Sequence, residues 1–74
     1  MAYFEFKINN ELCKKFRQEQ LKVTQQEVAE ELDYSQENIS AFENGRNGNV
    51  IIFMWYVKNG LFDYYSINDI CGGV

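Results

Sequence analysis

The side chains that could do chemistry in this chain are amides and carboxylates concentrated between Thr24 and Asn47. Amide groups both donate and accept hydrogen bonds, and carboxylates accept them, so this segment is suited to bind a polar surface. The 74-residue chain contains no histidine, and its hydroxyl and thiol groups have no general base beside them. Because acid–base and covalent catalysis need such groups, the composition predicts a binding protein without cofactor and not an enzyme.

The two cysteines, Cys13 and Cys71, do not have a metal-ligand spacing. We expect both to be reduced thiols, with Cys13 buried and inert beside the apolar face of the first helix. The N-terminus lacks the pattern of a signal peptide, and the apolar run Val50 to Val57 is too short to cross a bilayer. These features predict a cytoplasmic protein.

Two short helices with a tight connection are predicted in the polar segment. Thr24 can cap the backbone N–H of Glu27 while the Glu27 side chain bonds back to Thr24. The chain then turns at Asp33-Tyr34, and Ser35 caps the second helix. We expect Asn44-Gly45 to end that helix in positive-φ conformations.

Apolar residues give each of these helices one buried face. They are Val28, Ala29 and Leu32 in the first helix and Ile39 and Phe42 in the second. Helices joined so tightly must cross steeply, which leaves the N-terminal side chains of one helix projecting outward. This spacing is typical of a helix-turn-helix.

The segment resembles the helix-turn-helix of the Cro and phage-repressor superfamily, also called the xenobiotic-response-element type. That family has T-Q-x-x-[LV]-A-x-x-[LV] before the turn and S-x-x-x-I-S-x-[FI]-E-x-G after it. The matching residues are Thr24, Gln25, Val28, Ala29, Leu32, Ser35, Ile39, Ser40, Phe42, Glu43 and Gly45. The run Asn49 to Gly60 is similar to the fourth helix of small regulators carried by phages and mobile elements of Gram-positive bacteria.

The resemblance covers residues 11–60 and implies an all-α, five-helix, lambda-repressor-like DNA-binding domain. A single domain over residues 1–74 is expected, with the helix-turn-helix at 24–44 and Ser66 capping a short final helix. The family implies a sequence-specific transcriptional regulator that binds double-stranded DNA as a homodimer, with one reading helix in each half-site.

In that geometry the outward side chains of the second motif helix reach base edges in the major groove. They are Gln36, Glu37, Asn38, Ser40 and Ala41. Gln and Asn can bond adenine through two hydrogen bonds, and Glu can accept one from cytosine. In the family, the position of Gln36 commonly reads a base, while the position of Gln25 braces it and touches phosphate.

Phosphate contacts are expected at the N-terminus of the first motif helix, where backbone N–H groups attract an anion, and in the loop after the second. The residues are Gln25, Gln26, Asn44, Arg46 and Asn47, with Lys22 as a further candidate. Two residues depart from the family. Ala41 stands where many relatives have Arg, Lys or Gln. Asp33 replaces the glycine often found in the turn, and Asp tolerates the left-handed conformation expected there.

The charge is unusual for a DNA-binding protein, since eleven acidic residues against seven basic ones give a net charge of −4. No Lys or Arg lies between Thr24 and Asn44. Because phosphate neutralisation supplies most non-specific affinity, we expect weak binding to random duplex. The acidic surface also favours a second hypothesis: a protein-binding module, such as an antirepressor or an inhibitor of a host protein, that keeps the fold.

The predicted fourth helix is apolar nearly all round. Val50, Phe53, Met54 and Val57 form one stripe, and Ile51, Ile52, Trp55 and Tyr56 lie elsewhere. Such a helix needs cover on every side, so it is either the centre of the core or partly a dimer surface. The candidate dimer residues are Trp55, Tyr56, Leu61, Phe62, Tyr64 and Tyr65.

The N-terminal region carries two further predictions. Residues Tyr3 to Ile8 alternate between apolar and polar side chains, which indicates a short strand with a partner or an extended arm on the core. The first helix is expected to start at Asn9 or Asn10 and to bury Leu12 and Phe16. Its solvent side would carry Lys14, Lys15 and Arg17. One more residue than the family spacing lies between Arg17 and Gln25, which leaves open whether Arg17 pairs with Glu43.

Overall fold

The structure, a computed structural model, describes residues 8–71, and within this range the chain is helical and has no strands. The elements are α1 (Asn10–Phe16), a π-helix (Arg17–Leu21), α2 (Gln25–Leu32), α3 (Gln36–Glu43), α4 (Val50–Lys58), α5 (Leu61–Tyr64) and α6 (Ile67–Cys71). The all-α prediction is thus confirmed for this range, but six α-helices occur where five were expected. The predicted N-terminal arm lies outside the described residues except for Ile8.

The first helix begins as predicted, with the Asn9 side chain accepting the backbone N–H of Leu12 at 3.1 Å. Phe16 and Cys13 are fully buried, whereas Leu12 packs half-buried against the core. Burial raises the pKa of the Cys13 thiol to about 12, so the thiol stays protonated and unreactive at neutral pH. Both Cys13 and Cys71 are free thiols.

The π-helix accommodates the additional residue between Arg17 and Gln25. The backbone N–H of Lys22 bonds to the Arg17 carbonyl at 2.7 Å, the i→i+5 bond of a π turn. Lys22 then adopts a left-handed conformation with φ 57°, which ends the helix. The wider turn takes up the extra residue while Arg17 stays in register with α1. Arg17 is buried at 5% exposure, so the prediction that it faces solvent is wrong.

Both predicted caps of the helix-turn-helix are present. The Thr24 hydroxyl accepts the Glu27 N–H at 3.1 Å, and Glu27 Oε1 accepts the Thr24 N–H at 2.9 Å. The Ser35 hydroxyl accepts the Asn38 N–H at 3.3 Å. Between the two helices Asp33 takes the left-handed conformation, with φ 60°, that the family's glycine would take.

The end of α3 differs from the expectation that two residues have positive φ. Gly45 has φ 78°, but Asn44 has φ −94°. The N–H groups of Gly45 and Arg46 bond to the carbonyls of Phe42 and Ala41 at 3.0 and 2.9 Å. This is a Schellman motif, which needs only one left-handed residue, so a second is not required.

Helix α4 lies in the core, but one edge of it is exposed, so the expectation that it is covered on every side is wrong for this chain. The buried residues are Ile52, Phe53, Trp55 and Tyr56, and the exposed ones are Val50, Ile51 and Met54. Tyr56 stacks on Phe42 with 5.6 Å between ring centroids. A hydrophobic pattern this uniform does not specify the rotation of the helix. In the observed rotation the Tyr56 hydroxyl bonds to buried Glu43.

The C-terminal helices close the core against α1. Gly60 has φ 101° and lets the chain turn from α4 into α5, where Leu61 is fully buried. The predicted final helix is confirmed as α6. The Ser66 hydroxyl accepts the Asp69 N–H at 3.1 Å and the Asp69 carboxylate accepts the Ser66 N–H at the same distance. No helix within residues 8–71 is long and apolar enough to cross a membrane.

The π turn yields a prediction about deletions. Removing the exposed residue Gln20 is expected to leave a folded protein, because the π turn can relax into an α turn while Arg17 keeps its position. Removing Glu37, which is also exposed, rotates Ile39 and Phe42 by about 100° out of the core and should unfold the chain. Thermal melting followed by circular dichroism compares the two deletions, and equal loss of helix in both would contradict the prediction.

Candidate nucleic-acid interface

The N-terminal residues of α2 and α3 meet at two glutamines. Gln36 Nε2 donates to Gln25 Oε1 at 3.4 Å, and Gln25 Nε2 donates to Glu43 Oε1 at 3.0 Å. Gln36 is exposed and Gln25 is half-buried. The structure therefore brings together the two side chains that the family resemblance pairs, and it connects the exposed amide to a buried carboxylate.

The outward face of α3 forms a shallow depression. Its volume is about 540 Å³, and it is lined by Glu37, Asn38, Ser40, Ala41 and Arg46. Glu37, Asn38 and Arg46 are exposed, and Ser40 and Ala41 are half-buried. Four of the predicted base-reading residues thus share one open surface with a cation from the following loop.

The buried Glu43 carboxylate holds this region together. Its oxygens accept hydrogen bonds from Arg17 Nε at 2.7 Å, from Arg17 Nη2 at 2.9 Å, from Gln25 and from the Tyr56 hydroxyl. Burial alone would raise the pKa of Glu43, but the bonds from Arg17, Tyr56 and Gln25 outweigh it and lower the pKa. Glu43 is therefore charged in the folded protein although it is 4% exposed.

Arg17 pairs with Glu43 despite the additional residue between Arg17 and Gln25. The two side chains form two parallel hydrogen bonds, which is the geometry that a guanidinium and a carboxylate prefer. Its Nη1 also donates to the Val23 carbonyl at 2.8 Å. The hydrogen bond to Glu43 raises the pKa of Arg17 further above its ordinary value. The pair fixes the π-helix and the start of α2 to the end of α3.

Tyr56 is the member of this network that the sequence did not predict. Tyr56 is a candidate dimer residue on a helix for which the sequence also allows a place at the centre of the core. It is fully buried, and its hydroxyl donates to Glu43. Burial, together with the bond to Glu43, raises the pKa of Tyr56. A tyrosine buried on an apolar helix needs a partner for its hydroxyl, and this requirement is the signal in the sequence that points to such a bond.

The loop after α3 keeps two of its predicted phosphate contacts at the surface. Asn44 and Arg46 are exposed, and Asn44 Nδ2 donates to the Ser40 hydroxyl at 3.4 Å. Asn47 is half-buried, and its Oδ1 accepts the Asn49 N–H at 2.8 Å. That bond positions the loop before α4. At the other side of the site Gln26 and Lys22 are exposed.

The predicted dimer residues have different environments. Trp55, Tyr56 and Leu61 are buried in the protein's own core, which leaves them no surface for a partner. Phe62 and Tyr65 are half-buried against the core. Tyr64 is 58% exposed, although its ring lies 5.5 Å from that of Phe16. The aromatic residues after α4 mainly complete the core, as the alternative of a central helix implies.

Comparison with models of protein families finds a match to the middle of the chain. A helix-turn-helix family model matches residues 14–48, from the second half of α1 to the loop after α3. The match supports a helix-turn-helix segment at these residues of the chain. Neither the curated proteins nor the solved structures contain a match to the chain.

The hydrogen bonds of Glu43 with Arg17, Gln25 and Tyr56 form what we call the Glu43 network, and they make the free energy of unfolding depend on pH. The folded state lowers the pKa of Glu43, so its contribution to stability is complete above the ordinary glutamate pKa of about 4.3 and is lost as the pH falls through the lower folded value. Glu43→Gln leaves Arg17 buried without a countercharge and is expected to lower the free energy of unfolding at pH 7 by about 3–5 kcal/mol.

Urea denaturation of the parent protein and of Glu43→Gln, carried out between pH 7 and pH 3, measures how the contribution of Glu43 to stability changes with pH. The difference in unfolding free energy should narrow as the pH falls, because protonated Glu43 resembles glutamine. The variant Glu37→Gln, which changes an exposed carboxylate, is the control and should track the parent protein. A difference that stays constant over the whole pH range would contradict the assignment.

Proposed function

We propose that this protein is a sequence-specific DNA-binding transcriptional regulator of the phage or mobile-element type that places α3 in the major groove. The observation that carries the proposal is the exposed Gln36 amide, held by Gln25, which is held in turn by buried Glu43. An amide supported from behind presents its remaining donor and acceptor in a fixed direction, as recognition of adenine requires. The helix-turn-helix match over residues 14–48 supports the same function.

Phosphate contacts in this proposal flank the reading helix. At one side, the first backbone N–H groups of α2 and the helix dipole attract a phosphate beside Gln25 and Gln26. At the other side, Asn44 and Arg46 are exposed next to the depression over α3. These contacts position the protein on the duplex, whereas base contacts provide the sequence preference.

The acidic composition implies that this regulator binds random DNA weakly and binds its operator mainly through base contacts. With a net charge of −4 the protein gains little from releasing counterions on random DNA. Its affinity for an operator then depends on base contacts from Gln36, Glu37 and Asn38. A low non-specific affinity raises the ratio of specific to non-specific binding.

We propose further that two copies bind a two-fold operator in the cytoplasm. Of the predicted dimer residues, Tyr64 keeps an exposed side chain, and nearby Ile67 is 66% exposed. Helix α4 adds an exposed apolar edge at Val50, Ile51 and Met54. Apolar side chains of this size at the surface favour association of protomers. Free thiols at Cys13 and Cys71 fit a reducing compartment.

Gln36→Ala tests base reading. Selection of binding sites from random duplex at low salt should give a consensus for the parent protein, and the variant should lose about 1–3 kcal/mol of discrimination at one base pair in each half-site. Gln18→Ala, the same change at an exposed residue of the π-helix, is the control and should keep the consensus. An unchanged consensus in Gln36→Ala removes Gln36 from the reading set, and the absence of any selected site contradicts the function.

Ala41→Arg tests the orientation of α3. The added cation lies in the depression over α3 and is expected to strengthen DNA binding at low salt and to steepen the salt dependence by about one phosphate contact. Gln18→Arg adds the same charge outside the site and should give a much smaller gain. Equal gains for both variants, measured by fluorescence anisotropy across a salt series, would show that α3 does not face the duplex.

A further inference from the structure

A second depression lies between α2 and α4, on residues that the proposed DNA contacts do not use. Its volume is about 440 Å³, and its lining residues are Val23, Glu27, Val28, Glu30, Glu31 and Trp55. The three glutamates are exposed, Val23 is half-buried, and Val28 and Trp55 are buried. The depression therefore combines an acidic rim with an apolar floor.

Trp55 provides an observation independent of the carboxylates. The residue is 6% exposed, and its indole Nε1 is buried without a hydrogen-bond partner among the described residues. A buried donor left without an acceptor costs about 1–3 kcal/mol. Native structures rarely keep such a group without a reason, and a ligand that brings an acceptor is one.

The acidic rim lacks a countercharge. Glu27 Oε1 caps the Thr24 N–H, and Glu30 Oε2 accepts from Gln26 Nε2 at 3.2 Å, but these neutral donors do not cancel the charges. Within residues 8–71 the one ion pair is Arg17 with Glu43. The acidic residues in this range do not form a group that could hold a metal ion. The exposed carboxylates of Glu27, Glu30 and Glu31 therefore attract an organic cation that can also contact apolar surface.

We propose that this depression binds an arginine-bearing segment of a partner protein. The guanidinium pairs with Glu30 and Glu31, the aliphatic part of the side chain packs on half-buried Val23, and a backbone carbonyl of the segment accepts the Trp55 N–H. A nucleic acid does not fit, since phosphates are repelled by the rim. The proposal does not rest on DNA binding, because no lining residue belongs to the α3 surface.

Trp55 is the only tryptophan in the chain, so it reports on the site directly. The probe is the blocked tetrapeptide acetyl-Gly-Arg-Arg-Gly-amide, titrated into the ¹⁵N-labelled protein. The single indole N–H resonance is expected to move downfield and saturate. The double variant Glu30→Gln/Glu31→Gln should raise the apparent Kd about three- to tenfold, since each exposed ion pair contributes modestly.

The double variant Glu19→Gln/Glu37→Gln is the matched control, because it removes two exposed carboxylates outside the depression and should bind as the parent does. The peptide acetyl-Gly-Glu-Glu-Gly-amide should leave the indole resonance unmoved. The proposal is overturned if the arginine peptide gives no saturable shift, if the acidic peptide gives the same shift, or if both double variants weaken binding equally. All four substituted side chains are exposed, so each variant is expected to fold.

Discussion

A single buried carboxylate constrains most of this small protein. Glu43 ends α3, and the donors that compensate its charge come from the π-helix, from α2 and from α4. A buried charge is tolerated only when its hydrogen bonds are made, so these elements must converge on one point. Apolar packing supplies the driving force, with Phe16, Phe42 and Tyr56 fully buried, but it does not select among similar arrangements of the helices. The polar network provides that selection.

The unusual features of the backbone follow from this convergence. The π turn between α1 and α2 lets Arg17 reach Glu43 while Gln25, eight positions further along the chain, reaches the same carboxylate. An α-helical turn with one more residue would rotate one of these two side chains away from the carboxylate. Lys22 completes the adjustment in a left-handed conformation that costs a non-glycine residue roughly 1–2 kcal/mol. The network thus stabilises a locally unfavourable segment.

The sequence predicts local structure well where a side chain bonds to nearby backbone. The caps at Thr24, Ser35 and Ser66 and the left-handed Asp33 are all local in this sense, and the structure contains each of them. The rotation of α4 could not be predicted, because nearly every residue of that helix is apolar and periodicity gives no preferred face. The burial of Arg17 depends on a partner 26 positions away, which no local pattern reveals.

The candidate site also has a part that the sequence predicts and a part that it does not. The outward positions on α3 follow from helical spacing and could be predicted, whereas the support behind Gln36 depends on contacts between three elements. That support matters for the proposed function because the reading surface has few cations of its own. An acidic protein cannot gain much affinity from phosphate alone, so it needs amides whose direction is fixed before the duplex arrives. The Glu43 network does this for Gln25 and, through it, for Gln36. Under the proposed function, the buried ion pair that connects these helices is therefore also the element that prepares the reading surface for binding.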